Sequence, residues 1–203
     1  MIDPRVKTAR SAGAVGRNAI VPRVAIEIGK PIKASLPSFA LAGRGERMWF
    51  GMLDFGCGPS FHHHDQYASV ALNVYGYDLA FNHKHAHLPE GPAIKWSTVK
   101  LYARQYGFNL VLASNVINVQ STEEELWDTC QQLREAAGWG VLGISTRCNH
   151  QCDILLNYPQ DPRKLGWSMK KMSGYLIETG LGVQPDIVGP GVMLFRAPER
   201  MKQ

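Results

Sequence analysis

The sequence has no long apolar run, and this absence excludes a membrane-spanning helix. Charged residues, Gly and Pro interrupt every hydrophobic stretch well before the ~18 consecutive apolar residues that a span requires. The first 25 residues also lack the apolar core of a secretory signal. The four cysteines lack the spacing of a disulfide framework, which favours a reducing compartment. We therefore expect a soluble, cytoplasmic protein with free thiols.

Positive charge is concentrated at one end of the chain. Residues 1–47 contain nine Lys and Arg against three acidic residues, a net charge of +6, whereas residues 48–203 have a net charge of −1. We divide the chain accordingly into a basic N-terminal extension, 1–47, and one domain, 48–203. A basic segment attracts phosphate, so a nucleic acid is an expected partner of residues 1–47. An ordinary solvated surface is the simpler alternative.

Short apolar runs alternate with helical stretches along the domain, which predicts an α/β fold. The run at 48–55 is typical of a buried parallel strand, and further strands are expected at 73–78 and 109–113. Helices are expected within 60–72, at 97–106, from a capping box of Ser121 and Glu124 up to Gly138, and from about 168 to 180.

Two segments, 140–145 and 153–157, compete for the next central strand, and we favour 153–157 because it leads into a Tyr-Pro turn. The last two strands, 183–188 and 192–196, are separated by Gly-Pro-Gly, which predicts an antiparallel pair. The predicted fold is therefore a Rossmann-like, mostly parallel sheet with a closing antiparallel strand pair.

A glycine turn follows the first predicted strand in the segment LDFGCGPS, residues 53–60. Gly56 and Gly58 lack a Cβ, so their backbone can approach a ligand closely. Asp78 ends the next predicted strand, twenty residues after Gly58, where an acid can accept both hydroxyl hydrogens of a ribose. The combination predicts a nucleoside-bearing ligand, whereas a lone Gly-x-Gly would more simply be a turn.

The residues around the turn discriminate between nucleoside cofactors. Phe61 stands where a nicotinamide fingerprint requires a third glycine. Asp54, two residues before Gly56, would repel a pyrophosphate but suits a positive centre or an amino group. These residues favour S-adenosylmethionine over a dinucleotide.

Three segments resemble the class I S-adenosylmethionine-dependent methyltransferases. LDFGCGPS resembles their motif I, VYGYD their second motif and FNLVLASNVINV their fourth, and the resemblance extends over about residues 48–196. It implies a class I methyltransferase fold, although Asn109 replaces the Asp common at the start of the fourth motif. It also implies the cofactor-binding residues: Asp54, Gly56 and Gly58 at the methionine end, Asp78 at the ribose with the adjacent Leu79, and Ser114 and Asn115 beside the transferable methyl.

More narrowly, ASNVINVQS, LLNYPQDPRK and the TARSA start resemble methyltransferases of phages and of genes associated with DNA modification. Two departures stand against a standard DNA base methylase. Residues 114–117 lack the Pro-Pro-aromatic stretch of enzymes that methylate base amino groups, and no Pro-Cys nucleophile of the cytosine C5 enzymes is found near that strand.

The residues that bind the methyl acceptor leave only a weak signal in the sequence, because methyl transfer depends mainly on proximity and alignment. Our candidate catalytic residues are Asn115, Asn157 and Tyr158, the last two at the end of a central strand, where an acceptor can be stacked and hydrogen-bonded. A turn with a core tyrosine is an equally simple explanation for Asn157 and Tyr158.

Histidines and cysteines cluster in three places without the spacing of an established zinc site, so we predict no metal. These clusters are His62 to His64, the alternating His83, His85 and His87, and Cys148, His150 and Cys152. A histidine of the first cluster is a candidate general base.

The expected function is thus an S-adenosylmethionine-dependent methyltransferase whose acceptor is a nucleic acid or a nucleotide-containing substrate. Two alternatives stay open. One is a small-molecule methyltransferase in which residues 1–47 cover the pocket, and the other is a non-catalytic S-adenosylmethionine-binding protein.

Overall fold

A six-stranded sheet forms the framework of the protein. The structure is a computed structural model that describes residues 23–28, 30, 51–58, 64–71, 73–82, 92–105, 107–114, 116–117, 120, 122–139, 152–157, 181–189 and 192–198. The strands are β1 (Gly51–Phe55), β2 (Asn73–Tyr77), β3 (Leu110–Ala113), β4 (Asp153–Asn157), β5 (Pro185–Gly189) and β6 (Val192–Phe195). Their order across the sheet is β2-β1-β3-β4-β6-β5.

The direction of the strands confirms the predicted fold class. β2, β1, β3 and β4 are parallel, whereas β6 runs antiparallel to both β4 and β5. All five residues of β1 are buried, as expected for a central strand covered on both faces. The result is a mixed α/β sheet, mostly parallel, with an antiparallel pair at one edge.

The choice between the two competing segments is also decided. Residues 153–157 form β4, which pairs with β3 with Leu112 opposite Leu155. The rival segment 140–145 and the helix expected at 168–180 lie outside the described residues. β5 begins at Pro185, two residues after the predicted start, and a register shift lies between Ile187 and Gly189.

Helices cover both faces of the sheet. They are α1 (residues 23–28), α2 (His64–Ala68), α3 (Trp96–Gln105) and α4 (Glu123–Ala136), with a 3-10 turn at Leu79–Asn82. α3 and α4 pack in one buried cluster with Leu53 and Phe55 of β1. α1 and α2 pack in a second cluster with Met52 of the same strand. Because side chains alternate along a strand, Asp54 shares the face of Met52, which we call the α1–α2 face.

The start of α4 differs from the prediction by one residue. The cap is Thr122 and not Ser121, since the Thr122 side chain accepts a hydrogen bond from the Glu125 backbone N–H. Thr122 and Glu125 have the same Ser/Thr-x-x-Glu spacing, so the sequence contains two overlapping candidates. The predicted end is confirmed, because Gly138 has a positive φ of 75° just after the helix.

Asn109 takes over a structural role at the start of β3. Its side-chain Oδ1 accepts a hydrogen bond from the Gly51 backbone N–H at 2.9 Å, and its own N–H donates to the Gly51 carbonyl at 2.8 Å. The side-chain contact needs only an acceptor, which an amide oxygen supplies as well as a carboxylate. Asn109 therefore joins β1 and β3 at this end.

Helix α1 packs part of the basic N-terminal segment against the core. Ala25 is completely buried in the α1–α2 face cluster together with Val192 and Leu194 of β6. Arg23, Glu27 and Lys30 are exposed, and Glu27 forms an ion pair with Lys30 at 2.6 Å. The boundary at residue 47 stays a prediction.

No helix in the described part of the chain is both long and apolar enough to cross a membrane. The described cysteines are free thiols, and burial raises the pKa of Cys130 to about 12.

Candidate functional site

The carboxyl ends of β2, β1 and β3 meet at the point where the order of the sheet reverses. From β1 the chain passes through α2 to β2 on one side, and then crosses to β3 on the other side. In open α/β sheets this switch point leaves a crevice in which ligands bind. The predicted cofactor residues that the structure describes lie at or just after these three strand ends.

The turn after β1 folds back onto the end of β2. The backbone N–H groups of Gly56 and Cys57 both donate to the Tyr77 carbonyl, at 2.7 and 3.1 Å. Gly56 has a φ of 81°, and a Cβ at this position would lie only 2.5 Å from the Val116 side chain. Both the conformation and the close packing therefore require glycine at position 56.

Gly58 has a different environment, although its φ of 73° is similar. A Cβ added to Gly58 would meet no atom within 4 Å, so the backbone here borders open space. The Gly58 N–H donates to Asp78 Oδ2 at 3.1 Å, and the Ala80 N–H donates to Asp78 Oδ1 at 2.9 Å. These two amides fix the carboxylate of Asp78 beside the glycine turn.

Asp54 is a second buried carboxyl at the same place. It is only 3% exposed, and burial together with the charge of Asp78 raises its pKa to about 7. Within the described residues no Lys or Arg forms an ion pair with it. A carboxyl of this kind is partly ionised at neutral pH and is well suited to a ligand that brings positive charge.

Two further ionisable side chains surround Asp54. Burial, followed by the charge of Asp54, raises the pKa of the Cys57 thiol and of the Tyr67 phenol well above their usual values. Both groups are therefore neutral at physiological pH. The polar side chains around the turn, Asp54, Asp78, Cys57 and the buried Tyr67, can carry negative but not positive charge.

The ends of β3 and β4 continue the crevice on the other side of β1. Ser114 follows β3 directly, and its hydroxyl oxygen is buried with no hydrogen-bond partner among the described residues. β4 lies beside β3 and ends at Asn157, so the backbone of Asn157 reaches the same edge of the sheet. Asn115 and Tyr158 lie outside the described residues.

The structure thus brings together five of the predicted cofactor residues, and Leu79 begins the 3-10 turn after Asp78. Sequence reasoning missed Tyr67 beneath Asp54 and Val116 against Gly56. Tyr67 could have been found from the sequence, because it is the only Phe, Trp or Tyr in α2 and was therefore the natural candidate to face the sheet. Val116 gave none, because its contact with Gly56 joins segments sixty residues apart.

The histidine and cysteine clusters are described only in part. His64 begins α2 and its Nδ1 lies 3.1 Å from Asp65 Oδ1, while Cys152 is buried. Within the part of the chain that the structure describes, no group of His, Cys, Asp and Glu is arranged to hold a metal ion. The remaining members of these clusters lie outside it.

Comparison with known proteins gives remote structural similarities alone. No protein-family model and no curated protein matches the chain. Among solved structures, the N-methyltransferase NodS from Bradyrhizobium japonicum WM9, in complex with S-adenosyl-L-homocysteine, has a TM-score of 0.48 and 10% identity over 97% of this chain and 100% of its own. CalS10, an S-adenosylmethionine-bound amino pentose methyltransferase from Micromonospora echinaspora involved in calicheamicin biosynthesis, has a TM-score of 0.41 and 16% identity over 76% of this chain.

The match with CalS10 spans 57% of that protein's length. DesVI from Streptomyces venezuelae has a TM-score of 0.37 and 16% identity over 82% of this chain and 63% of its own. None of the three is described as a phage or DNA-modifying protein. Similarity at this level assigns neither a cofactor nor an acceptor to this chain, so its function has to be argued from the geometry of the site.

Proposed function

We propose that the protein binds S-adenosylmethionine at the carboxyl ends of β2, β1 and β3 and transfers its methyl group. The observation that carries this proposal is the hydrogen bond between the Gly58 N–H and the Asp78 carboxylate. It joins a glycine turn bordered by open space to an oriented, buried acid at the end of the neighbouring strand. A ligand lying across this junction presents its ribose to Asp78 and its charged end to the turn.

The charge of the site supports this cofactor over a dinucleotide. A pyrophosphate would bring two negative charges close to Asp54 and Asp78, and the described residues around them provide no cation. The methionine end of S-adenosylmethionine carries a sulfonium and an ammonium group, which the same carboxyls attract. Bound there, the cofactor supplies a methyl group on a positively charged sulfur.

The residues at the ends of β3 and β4 form the acceptor side of the proposal. Ser114 and Asn115 follow β3 and would border the methyl, while Asn157 and Tyr158 would orient the acceptor in line with it. The contribution of the protein is then proximity and alignment, because displacement at a sulfonium carbon needs a base only when the acceptor must lose a proton.

A nucleic acid or a nucleotide-containing compound is the acceptor class that we propose, supported by the net charge of +6 on residues 1–47. A small-molecule acceptor and a non-catalytic cofactor-binding protein are the competing functions. Incubation with methyl-labelled S-adenosylmethionine and separated DNA, RNA, protein and metabolite fractions distinguishes them. Label in a nucleic-acid fraction supports the proposal, label only in metabolites supports the small-molecule alternative, and tight binding without transfer supports the binding protein.

Replacement of Asp78 tests the cofactor assignment directly. We expect Asp78→Ala to weaken S-adenosylmethionine binding about 100-fold in calorimetry, because it removes two charge-assisted hydrogen bonds to the ribose. Asp128→Ala, which removes an exposed acid from α4, is the matched control and should bind normally. Thermal unfolding of both variants reports whether the fold is intact. Unchanged affinity in Asp78→Ala, or binding of NAD in place of S-adenosylmethionine, would contradict the proposal.

A further inference from the structure

Asp54 is the least compensated charge in the candidate site. Asp78 has the Gly58 and Ala80 amides on its carboxylate, but no described group donates a hydrogen bond or brings a positive charge to Asp54. The titratable groups that face it are Asp78 at the end of β2, Cys57 in the turn and Tyr67 on α2. All three are acids.

The other elements packed around Asp54 contribute no charge. Its register neighbours are Gly76 on β2 and Leu112 on β3. Helix α1 contributes Ala25 to the same face of the sheet. The protein therefore places two buried carboxyls beside the same turn, with nothing positive among the described residues to balance both.

Starting from the proposed function, we infer that Asp54 selects the ligand by charge: without a ligand it holds a proton in mildly acidic solution, and it releases that proton when a positively charged ligand end binds. The proton passes to the solvent, and the carboxylate that remains pairs with the cation. A ligand with the same adenosine but no positive charge leaves the proton in place, so the residue determines specificity for the charged methionine end.

The physical reason is the cost of two like charges in one buried turn. Ionisation of Asp54 beside an ionised Asp78 is opposed by burial and by repulsion, which together raise the pKa of Asp54 to about 7. The attraction of a bound cation offsets both effects and favours the ionised carboxylate. Proton release must then increase the affinity as the pH rises, by up to about tenfold per pH unit where Asp54 is still protonated.

The test compares two ligands on the wild-type protein. S-adenosylmethionine carries the charged methionine end, whereas 5′-methylthioadenosine has the same adenosine and a neutral thioether. Titration calorimetry between pH 5.5 and 7.0, in buffers that differ in ionisation enthalpy, counts the protons released. This range stays below about pH 8, where the ligand's own amino group begins to lose its proton. We expect close to one proton released per S-adenosylmethionine at pH 6, and none for 5′-methylthioadenosine.

The variant Asp54→Asn identifies the source of the proton. Histidine side chains titrate in the same pH range, and all of them are retained in this variant. We expect its affinity for S-adenosylmethionine to be independent of pH between 5.5 and 7.0, and its proton release to vanish. Because the two-ligand comparison needs no variant, poor folding of Asp54→Asn would not leave the inference untested.

Three results would overturn the inference while leaving the proposed function in place. They are S-adenosylmethionine binding without proton release, equal proton release with 5′-methylthioadenosine, and an unchanged pH dependence in Asp54→Asn. Absence of S-adenosylmethionine binding at every pH is a different result, because it would refute the proposed function itself.

Discussion

Gly56 and Gly58 belong to the same turn but are constrained in different ways. Both have a positive φ, which costs a residue with a Cβ about 1–2 kcal/mol. Only Gly56 also meets the Val116 side chain, and overpacking of this kind adds about 1–3 kcal/mol. The added methyl at Gly58 instead enters the open space that we assign to the ligand.

We therefore expect the two alanine variants to differ in what they lose. Gly56→Ala should lower the free energy of unfolding by about 2–5 kcal/mol in urea titrations. Gly58→Ala should lower it by only about 1–2 kcal/mol, yet weaken S-adenosylmethionine binding by more than its loss of stability explains. Equal destabilisation of the two variants, or normal binding by Gly58→Ala, would contradict this interpretation of the turn.

The raised pKa of Asp54 also has a consequence for stability. Burial and the charge of Asp78 raise the pKa of this carboxyl from its ordinary value of 3.8 in the unfolded chain to about 7 in the folded protein, so the native state binds the extra proton between these values. The contribution of Asp54 to the free energy of unfolding must therefore fall as the pH rises from about 4 to about 7, by about 4 kcal/mol in all, and then level off.

Asp54→Asn removes this dependence. In the absence of ligand we expect the variant to be more stable than the wild type at pH 8, by a few kcal/mol, and similar to it at pH 4. Urea unfolding at the two pH values measures the difference, and the wild type serves as the control because every other carboxyl is shared. A variant less stable than the wild type at pH 8 would show that ionised Asp54 has a partner that stabilises it.

At the residue scale, local spacing in the sequence was enough to predict which residues lie together in the candidate site, while their role in binding stays a prediction. The glycines follow a strand and Asp78 ends the next one, so strand parallelism alone brings them together. The raised pKa of Asp54 could not be predicted, because it depends on burial and on the neighbouring strand. The same holds for Val116, whose importance comes from the backbone of a distant turn.

At the scale of elements, the N-terminus of α4 shows that a sequence pattern can fit two positions while the structure uses only one of them. Ser121 with Glu124 and Thr122 with Glu125 both fit a capping box, and the structure uses Thr122. Thr122→Ala should lower the free energy of unfolding by about 1 kcal/mol, since the Glu125 N–H loses its acceptor. Ser121→Ala is the matched control and should change it by less than 0.5 kcal/mol. If Ser121→Ala destabilised the protein more than Thr122→Ala in urea titrations, Ser121 would be the cap, as the sequence predicted.

The strands were easier to predict than the helix ends. Strand β4 was identified correctly at 153–157 because this segment, unlike its competitor at 140–145, leads into a Tyr-Pro turn. Helix ends depend on one hydrogen bond, and neighbouring Ser, Thr and Glu residues offer several equivalent choices. The packing of helix α1 could not be predicted either, since nothing in its local sequence indicates that Ala25 packs against β6.

At the scale of the whole molecule, the excess positive charge and the candidate site lie in different parts of the chain. The site lies at the sheet's switch point and its polar lining is acidic, whereas the excess of positive charge belongs to residues 1–47. An acidic site suits a cationic cofactor but repels a polyanion. If the acceptor is a nucleic acid, its phosphates must therefore be attracted by the basic segment, and helix α1 joins that segment to the sheet.

This division predicts the salt dependence of methyl transfer. With a nucleic-acid acceptor, we expect the logarithm of kcat/KM to fall linearly with the logarithm of salt concentration, with a slope of about −0.9 for each phosphate contacted. The double variant Arg5→Gln, Lys7→Gln should flatten the slope by up to about 2, because it removes two cations from the basic segment. Lys95→Gln, Lys100→Gln removes the same charge from the region of α3 and should leave the slope unchanged. A slope near zero on the labelled acceptor would favour a small neutral molecule. Equal flattening by both pairs would show that the basic segment is not the part of the protein that attracts the acceptor's phosphates.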